Sequence, residues 1–147
     1  MAVIRLEGRE RFPLPREQLA ATLANAAALA ACFADVTLVE ATADLAKLEV
    51  SSDVTMLPGR VRVELSVVSR EANRARYRIL NQARGASATV EADIIFEDTG
   101  ADESHAVWTA EIGQVTGLLR MMPSIVLKAG VESAIPHIWK RIHEALA

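Results

Sequence analysis

Apolar and polar residues alternate along most of the chain between residues 36 and 112. Residues two positions apart point to the same face of a strand, so this alternation predicts a sheet with one solvent-exposed face and one buried face. Turn-forming residues separate the alternating runs. We predict six strands here, namely Val36 to Glu40, Leu45 to Thr55, Arg60 to Ser69, Arg74 to Gln82, Ala86 to Phe96 and His105 to Ile112.

Another strand opens the chain, because apolar and charged residues also alternate up to about Phe12. Pro13 and Pro15 end its hydrogen-bond ladder, and Pro15 is well suited to begin a helix. The residues after it are good helix formers as far as Asn25, and a short second helix is predicted over Ala26 to Cys32. Two short helices therefore separate the first strand from the other six.

The short breaks between later strands predict an antiparallel meander. A two-residue turn at Arg84-Gly85 would pair opposite charges on the outer face and apolar residues on the inner face. A shift of one residue would invert both faces, so the agreement supports this register. The predicted pairs are Arg78 with Glu91, Arg76 with Asp93, Tyr77 with Ala92 and Ile79 with Val90.

The period of the apolar residues changes to that of a helix from about Thr116 to Ala147. Their stripe predicts one long helix with a single apolar face. Pro136 lies inside it and predicts a kink, while Pro123 marks either the start of the regular helix or an earlier bend. The stripe consists of Leu118, Met122, Ile125, Ala129, Val131, Ile135, Ile138, Ile142 and Leu146.

Length and composition predict a single domain over residues 1–147 with a substantial core, since 51% of the residues are hydrophobic. The formal net charge of −3 gives no general attraction to nucleic acid or anionic membranes. The chain has one cysteine, Cys32, and its first residues lack the apolar stretch of a secretory signal. A reducing, cytoplasmic location is the expectation.

The order of elements predicts an α+β protein in which a curved seven-stranded antiparallel sheet buries its apolar face against the C-terminal helix. This order resembles the helix-grip fold of the START-like superfamily, also called SRPBCC or Bet v 1-like. Within it, the chain is most similar to the family of the carbon monoxide dehydrogenase G subunit, CoxG. The similarity rests on that order and on three segments, Glu97-Asp98-Thr99-Gly100, the strand Trp108-Thr109-Ala110-Glu111-Ile112-Gly113, and Gly117-Leu118-Leu119.

The resemblance implies a cavity between sheet and helix that accepts an apolar or amphipathic molecule such as a lipid, isoprenoid or aromatic compound. In some relatives it implies a role in docking a redox enzyme to the membrane. The methionines among the candidate residues could instead fill the core, and the polar ends of Tyr77 and Trp108 could meet the backbone or water. The candidate ligand-binding residues are Met56, Tyr77, Asn81, Trp108, Met121, Met122 and Ile125.

No pattern for catalysis, a metal or a cofactor stands out. His137 and His143 are six residues apart, which is not the spacing of a helical metal pair, and the loop around His105 is typical of a solvated side chain. Cys32 lies in an alanine-rich helix that favours a buried structural role. A cyclase, dehydratase or hydrolase using the same cavity remains the alternative, and it would need an inward-facing acid or base.

Arginines are concentrated on the predicted outer face of the middle strands. They could dock an acidic protein partner or anionic lipid headgroups, above all through Arg74, Arg76 and Arg78. Alternatively, they form a solvated face paired with acidic side chains. Nucleic-acid binding is not expected, because the outward positions lack interleaved aromatic residues. The full set is Arg60, Arg62, Arg70, Arg74, Arg76, Arg78 and Arg84.

Overall fold

The computed structural model describes residues 4–33, 36–50 and 60–146. Seven strands and three α-helices occur in this part of the chain. The strands are β1 (Ile4–Phe12), β2 (Thr37–Ala41), β3 (Leu45–Val50), β4 (Val61–Glu71), β5 (Arg74–Ala83), β6 (Ala86–Gly100) and β7 (Glu103–Gly117). The helices are α1 (Arg16–Leu23), α2 (Ala26–Ala31) and α3 (Ser124–Leu146), and a short 3₁₀ turn (Leu118–Met121) precedes α3.

All seven strands form one antiparallel sheet in the order β1-β7-β6-β5-β4-β3-β2. The long α3 helix lies across it, so the predicted α+β helix-grip architecture is confirmed. The predicted register between β5 and β6 is also confirmed, with Tyr77 opposite Ala92 and Arg76 opposite Asp93. Gly85 has a φ of 79° in the connecting turn, a conformation that favours glycine.

The sequence-based prediction is wrong about where the last strand ends, because β7 continues to Gly117 instead of stopping near Ile112. The helical stripe is predicted from about Thr116, but α3 begins at Ser124, which confirms the alternative that Pro123 marks the start of the regular helix. Gly117 adopts a φ of 65°, and a Cβ there would collide with the carbonyl group of Gly85. Pro123 directly precedes the helix, and its carbonyl accepts from the amides of Val126 and Leu127.

Two polar side chains, Tyr77 and Arg70, attach the end of α1 to the sheet. The buried Tyr77 hydroxyl donates to the carbonyl oxygen of Leu23, at the end of α1, over 2.8 Å. Arg70 donates to the carbonyl oxygens of Ala24 (2.7 Å) and Ala43 (2.8 Å). The bonds to Leu23 and Ala24 satisfy backbone acceptors at the C-terminal end of α1, and the bond to Ala43 reaches the turn before β3.

The C-terminal half of α3 is held against β1 by an aromatic cluster. Trp139 and Ile142 are buried, and the Trp139 ring lies 6.3 Å from the ring of Phe12. His143 stacks on Phe12 with a centroid distance of 4.3 Å, and its Nε2 lies 2.9 Å from an oxygen of Glu10. The helix continues through Pro136, and the predicted kink there stays a prediction.

Candidate functional site

An apolar cavity of about 230 Å³ lies between the concave face of the sheet and α3. Its wall in the described residues contains no carboxylate, histidine, lysine or arginine side chain. The sheet and the short helices contribute Leu23, Leu29, Phe33, Leu48, Val50, Val63, Leu65, Tyr77, Ile79, Asn81, Ala88, Val90, Ala92, Ile94, Trp108, Thr109, Ala110 and Ile112. The α3 helix contributes Val131, Ala134, Ile135, Ile138, Trp139 and Ile142.

Small side chains in the centre of the sheet leave this space open. Ala92 of β6 lies directly opposite Ala110 of β7, and both line the cavity. Ala88 and Ala134 also line it, from β6 and α3. A close-packed interior would need larger side chains at these positions. The inward-facing side chains of the strands therefore line an open cavity instead of filling the core.

Tyr77 forms part of the wall, but its hydroxyl is already committed to the carbonyl of Leu23. The side chain is 2% exposed. Burial raises the pKa of Tyr77 well above its ordinary value, and the charge of Arg70 opposes that rise. Tyr77 is therefore a neutral structural residue whose ring faces the cavity, and it is poorly suited to act as a base at neutral pH.

Trp108 lines the cavity opposite Gly8, its partner across the β1 and β7 ladder. A Cβ on Gly8 would lie 2.6 Å from Cζ2 and 2.9 Å from Nε1 of the indole, so glycine is needed for this close approach. The rings of Trp108 and Trp139 lie 6.0 Å apart. The Trp108 Nε1 atom is buried and has no hydrogen-bond partner among the described residues.

Asn81 places a weakly bonded polar group on the wall. Its Nδ2 lies 3.4 Å from the carbonyl oxygen of Ala88 and 3.5 Å from that of Ile79, which are long for hydrogen bonds. The side chain is half-buried. The amide is thus held weakly by the protein and is able to reorient toward a ligand.

The structure brings together three of the seven predicted site residues, Tyr77, Asn81 and Trp108, on the cavity wall. Met121, Met122 and Ile125 do not line it and are 83%, 37% and 78% exposed. The expectation that these three lie on the wall is wrong, because the 3₁₀ turn and the late start of α3 place them on the outside. Met56 lies outside the described residues. Ligand contact by any of the seven stays a prediction.

The sequence analysis missed the part of α3 that covers the cavity. Val131, Ile135 and Ile138 belong to the predicted apolar stripe, so a signal for them existed. Trp139 lies beside the stripe in sequence, and only its packing against Trp108 shows that it belongs to the site. The error lay in choosing the methionine-rich start of the predicted helix instead of its middle.

Comparison with known families decides the classification. The family model for the G subunit of carbon monoxide dehydrogenase, CoxG, matches residues 8–147. The chain belongs to the CoxG family. A search of curated protein sequences finds no significant match.

Solved structures share the fold of this CoxG-family protein at low sequence identity. A conserved protein from Geobacillus kaustophilus is 13% identical with a TM-score of 0.80, covering 97% of this chain and 95% of that chain. A START superfamily protein from Mycobacterium smegmatis is 10% identical with a TM-score of 0.68, covering 97% and 96%. The Zhui aromatase/cyclase from Streptomyces is 12% identical with a TM-score of 0.64, covering 99% and 92%.

The outer arginines of this CoxG-family protein are partly paired. Arg74 forms a bidentate ion pair with Asp93, and Nη2 of Arg78 lies 3.4 Å from Oε1 of Glu91. The side-chain hydrogen bond to Asp93 and its charge raise the pKa of Arg74. For Arg76, no ion pair is found within the described residues. Docking of a partner through Arg74, Arg76 and Arg78 stays a prediction.

Arg70 does not belong to this outer face, contrary to the sequence-based expectation. The register between β4 and β5 shifts between Val67 and Ser69, which places Arg70 opposite the buried Ala75. The shift inverts the alternation after Val67, as a β-bulge does. The guanidinium consequently reaches the backbone of α1 and the turn before β3, where it also pairs with Asp44 at 3.0 Å.

The described part of the chain has no helix that is long and apolar enough to cross a membrane.

Outside the cavity, burial raises the pKa of the Cys32 thiol, and its Sγ donates to the carbonyl of Ala28 at 3.5 Å. A thiol in that state is a poor nucleophile. Cys32 therefore gives no support to a catalytic alternative.

Proposed function

We propose that this protein binds a hydrophobic or amphipathic small molecule in the cavity between sheet and α3. The observation that carries the proposal is the 230 Å³ space with an almost wholly apolar wall. A cavity of about 150 Å³ lined by aliphatic and aromatic side chains is enough to admit benzene. The space here suits a somewhat larger molecule, such as a fused-ring compound or part of an isoprenoid or lipid chain.

The chemistry of the wall favours binding over catalysis. General acid–base catalysis needs a titratable group within hydrogen-bond reach of the substrate. The titratable group on the described wall is the phenol of Tyr77, whose hydroxyl is bonded to Leu23. The Streptomyces neighbour is called an aromatase/cyclase, but a shared fold does not carry over a reaction.

The family is named for a subunit of carbon monoxide dehydrogenase. We therefore include in the proposal that the bound molecule is carried to, or from, a redox enzyme as part of an accessory role. A carrier needs a cavity that holds its ligand without altering it. The described wall, which has no carboxylate, histidine, lysine or arginine side chain, meets that need. Residues on the outer face, including Arg76, are available for contact with such a partner.

The first experiment combines native mass spectrometry of protein purified from its source with titration of a neutral, apolar fluorescent dye, N-phenyl-1-naphthylamine. We expect the purified protein to carry an apolar molecule, or to bind the dye. Where a molecule co-purifies, it should compete with the dye for the cavity. Ala110→Leu, which fills the cavity, should weaken dye binding about tenfold, or about 1.4 kcal/mol.

The matched control is Ala129→Leu, because Ala129 is exposed on α3 and the substitution adds the same atoms. It should leave dye binding within about twofold of the wild type, a difference of about 0.4 kcal/mol. If the two variants weakened binding equally, the dye would be bound elsewhere and the cavity would lose its assigned role. Absence of both a co-purified molecule and dye binding would refute the proposal.

A further inference from the structure

Two buried side-chain polar atoms lack a hydrogen-bond partner in the described residues, Arg16 Nε and Trp108 Nε1. Only Trp108 lies on the cavity wall. Buried donors are almost always paired, because an unpaired one loses its bond to water and gains nothing in return. The indole N–H of Trp108 is therefore a donor for which the described protein supplies no acceptor.

The surroundings of Trp108 shield this donor from solvent. The ring is pressed against Gly8 on one side, where even a Cβ would lie 2.6 Å from it, and its neighbour across the cavity end is Trp139 at 6.0 Å. The side chain is 9% exposed. Free space adjoins the ring on the cavity side, so an acceptor that enters the cavity could reach the N–H after a small rotation of the indole.

We infer that Trp108 donates a hydrogen bond from Nε1 to the ligand, and that the ligand, resting on the proposed function, is a neutral and mostly apolar molecule carrying an acceptor such as a carbonyl oxygen. Neutrality follows from the wall, which offers no cation or anion in the described residues. A charged ligand would lose its hydration without compensation. Trp108 thus selects among molecules that the aliphatic wall alone would accept equally.

The test compares fluorene with fluorenone, two rigid molecules that differ in a methylene group or a carbonyl group at one carbon. Both are measured by displacement of the neutral dye N-phenyl-1-naphthylamine from the full chain. Without a donor in the cavity, fluorenone should bind more weakly than fluorene, because its carbonyl leaves water unpaired. With Trp108 as donor, we expect fluorenone to bind about tenfold more tightly than fluorene.

Trp108→Phe removes the N–H and keeps an aromatic ring at this position. We expect the variant to lose the preference for fluorenone, with the two affinities within about twofold or reversed. The matched control is Trp139→Phe, because Trp139 lines the same cavity and its Nε1 is not one of the two buried atoms left without a partner in the described residues. It should weaken both ligands alike and keep the preference.

An infrared measurement on fluorenone labelled with carbon-13 at its carbonyl distinguishes loss of the hydrogen bond from a change in the shape of the cavity. The carbonyl band of the bound molecule should be shifted to lower frequency in the wild type and in Trp139→Phe, and should move back in Trp108→Phe. This readout needs only bound ligand, so it remains decisive if Trp108→Phe weakens affinity for both probes.

The outcomes for Trp108 and for the cavity are distinct. If fluorene binds the wild type as tightly as fluorenone, or if the carbonyl band is the same in Trp108→Phe, the donor role is overturned while apolar binding stands. If the dye binds but neither molecule displaces it, the inference about Trp108 fails while apolar binding stands. If the dye does not bind at all, the proposed function fails, and the inference about Trp108 fails with it.

Discussion

The C-terminal half of α3 packs firmly on the sheet, while its N-terminal half is largely exposed. Trp139 and Ile142 are buried among aromatic side chains, and His143 is joined to Glu10. In the first turn of the same helix, Ile125 and Val126 are 78% and 46% exposed. The middle of the helix lies between these regions and covers the cavity through residues such as Ile135.

This difference suggests how a continuous helix can serve as both anchor and cover. Buried aromatic contacts contribute most of the packing energy at one end. The other end contributes little burial, so its local opening should cost less than global unfolding. We expect a ligand to enter beneath the weakly packed half while the aromatic end keeps the helix on the sheet.

The largest effect should come from removing the anchor. Trp139→Ala deletes a buried ring that contacts Phe12 and Trp108, so we expect a loss of about 3 to 5 kcal/mol in the free energy of unfolding. Ile125→Ala, in the exposed first turn, should change it by less than about 0.5 kcal/mol. Urea unfolding measures both, and equal losses would show that the two halves are packed alike.

A smaller effect is expected from crowding the ring that Trp139 packs against. Gly8→Ala places a methyl group within 3 Å of three indole atoms of Trp108, and overpacking of this kind costs about 1 to 3 kcal/mol. The control is Gly113→Ala in β7, where a Cβ meets nothing within 4 Å. Urea unfolding of the two variants should differ clearly, and a Gly8→Ala protein as stable as the control would contradict the described contact.

Hydrogen exchange compares the two halves of α3 without mutation. We expect amides of residues 128–134 to exchange on the order of ten times faster than those of residues 138–145, because the weakly packed half opens locally. Adding fluorenone should slow the first group more than the second. Uniform protection along the helix, unaffected by the probe, would remove the distinction between anchor and cover.

The smallest effect at neutral pH concerns Tyr77, which supports the cavity independently of α3. Tyr77→Phe removes the hydroxyl bond to Leu23 and should cost about 1 kcal/mol. The raised pKa of Tyr77 makes a further prediction about pH. Because the folded state holds this proton more tightly, stability is fully present below the ordinary tyrosine pKa and falls as pH rises above about 10 toward the folded value.

Tyr77 is the single tyrosine of the chain, so tyrosinate absorbance reports it alone. The folded protein should show little tyrosinate at pH 10 to 11, whereas the protein in concentrated urea should titrate near 10. In Tyr77→Phe, the loss of stability above pH 10 should be reduced. A folded-state midpoint near 10 would show that the phenol is not buried as described.

Much of the fold was predictable because alternation and turns are local signals. The β5 and β6 register followed from charge pairs such as Arg78 with Glu91 and was confirmed. The face of the sheet on which Arg70 lies was not predictable, because the register shift between Val67 and Ser69 has no marker in the sequence. The periodicity alone did not locate the start of α3, since the apolar residues from Leu118 to Met122 fit a helical period equally well, whereas Pro123 offered the start that the structure has.

The sequence by itself determined an antiparallel sheet with one apolar face, a covering C-terminal helix, and the inward orientation of Tyr77 and Trp108. These follow from periodicity, which each strand or helix carries in its own residues. Only the tertiary structure decided that facing alanines such as Ala92 and Ala110 leave a cavity, and that Gly8 makes room for an indole whose N–H has no acceptor among the described residues. A cavity and a hydrogen-bond donor without an acceptor both depend on how several elements pack together, so the residues of a single element do not encode them.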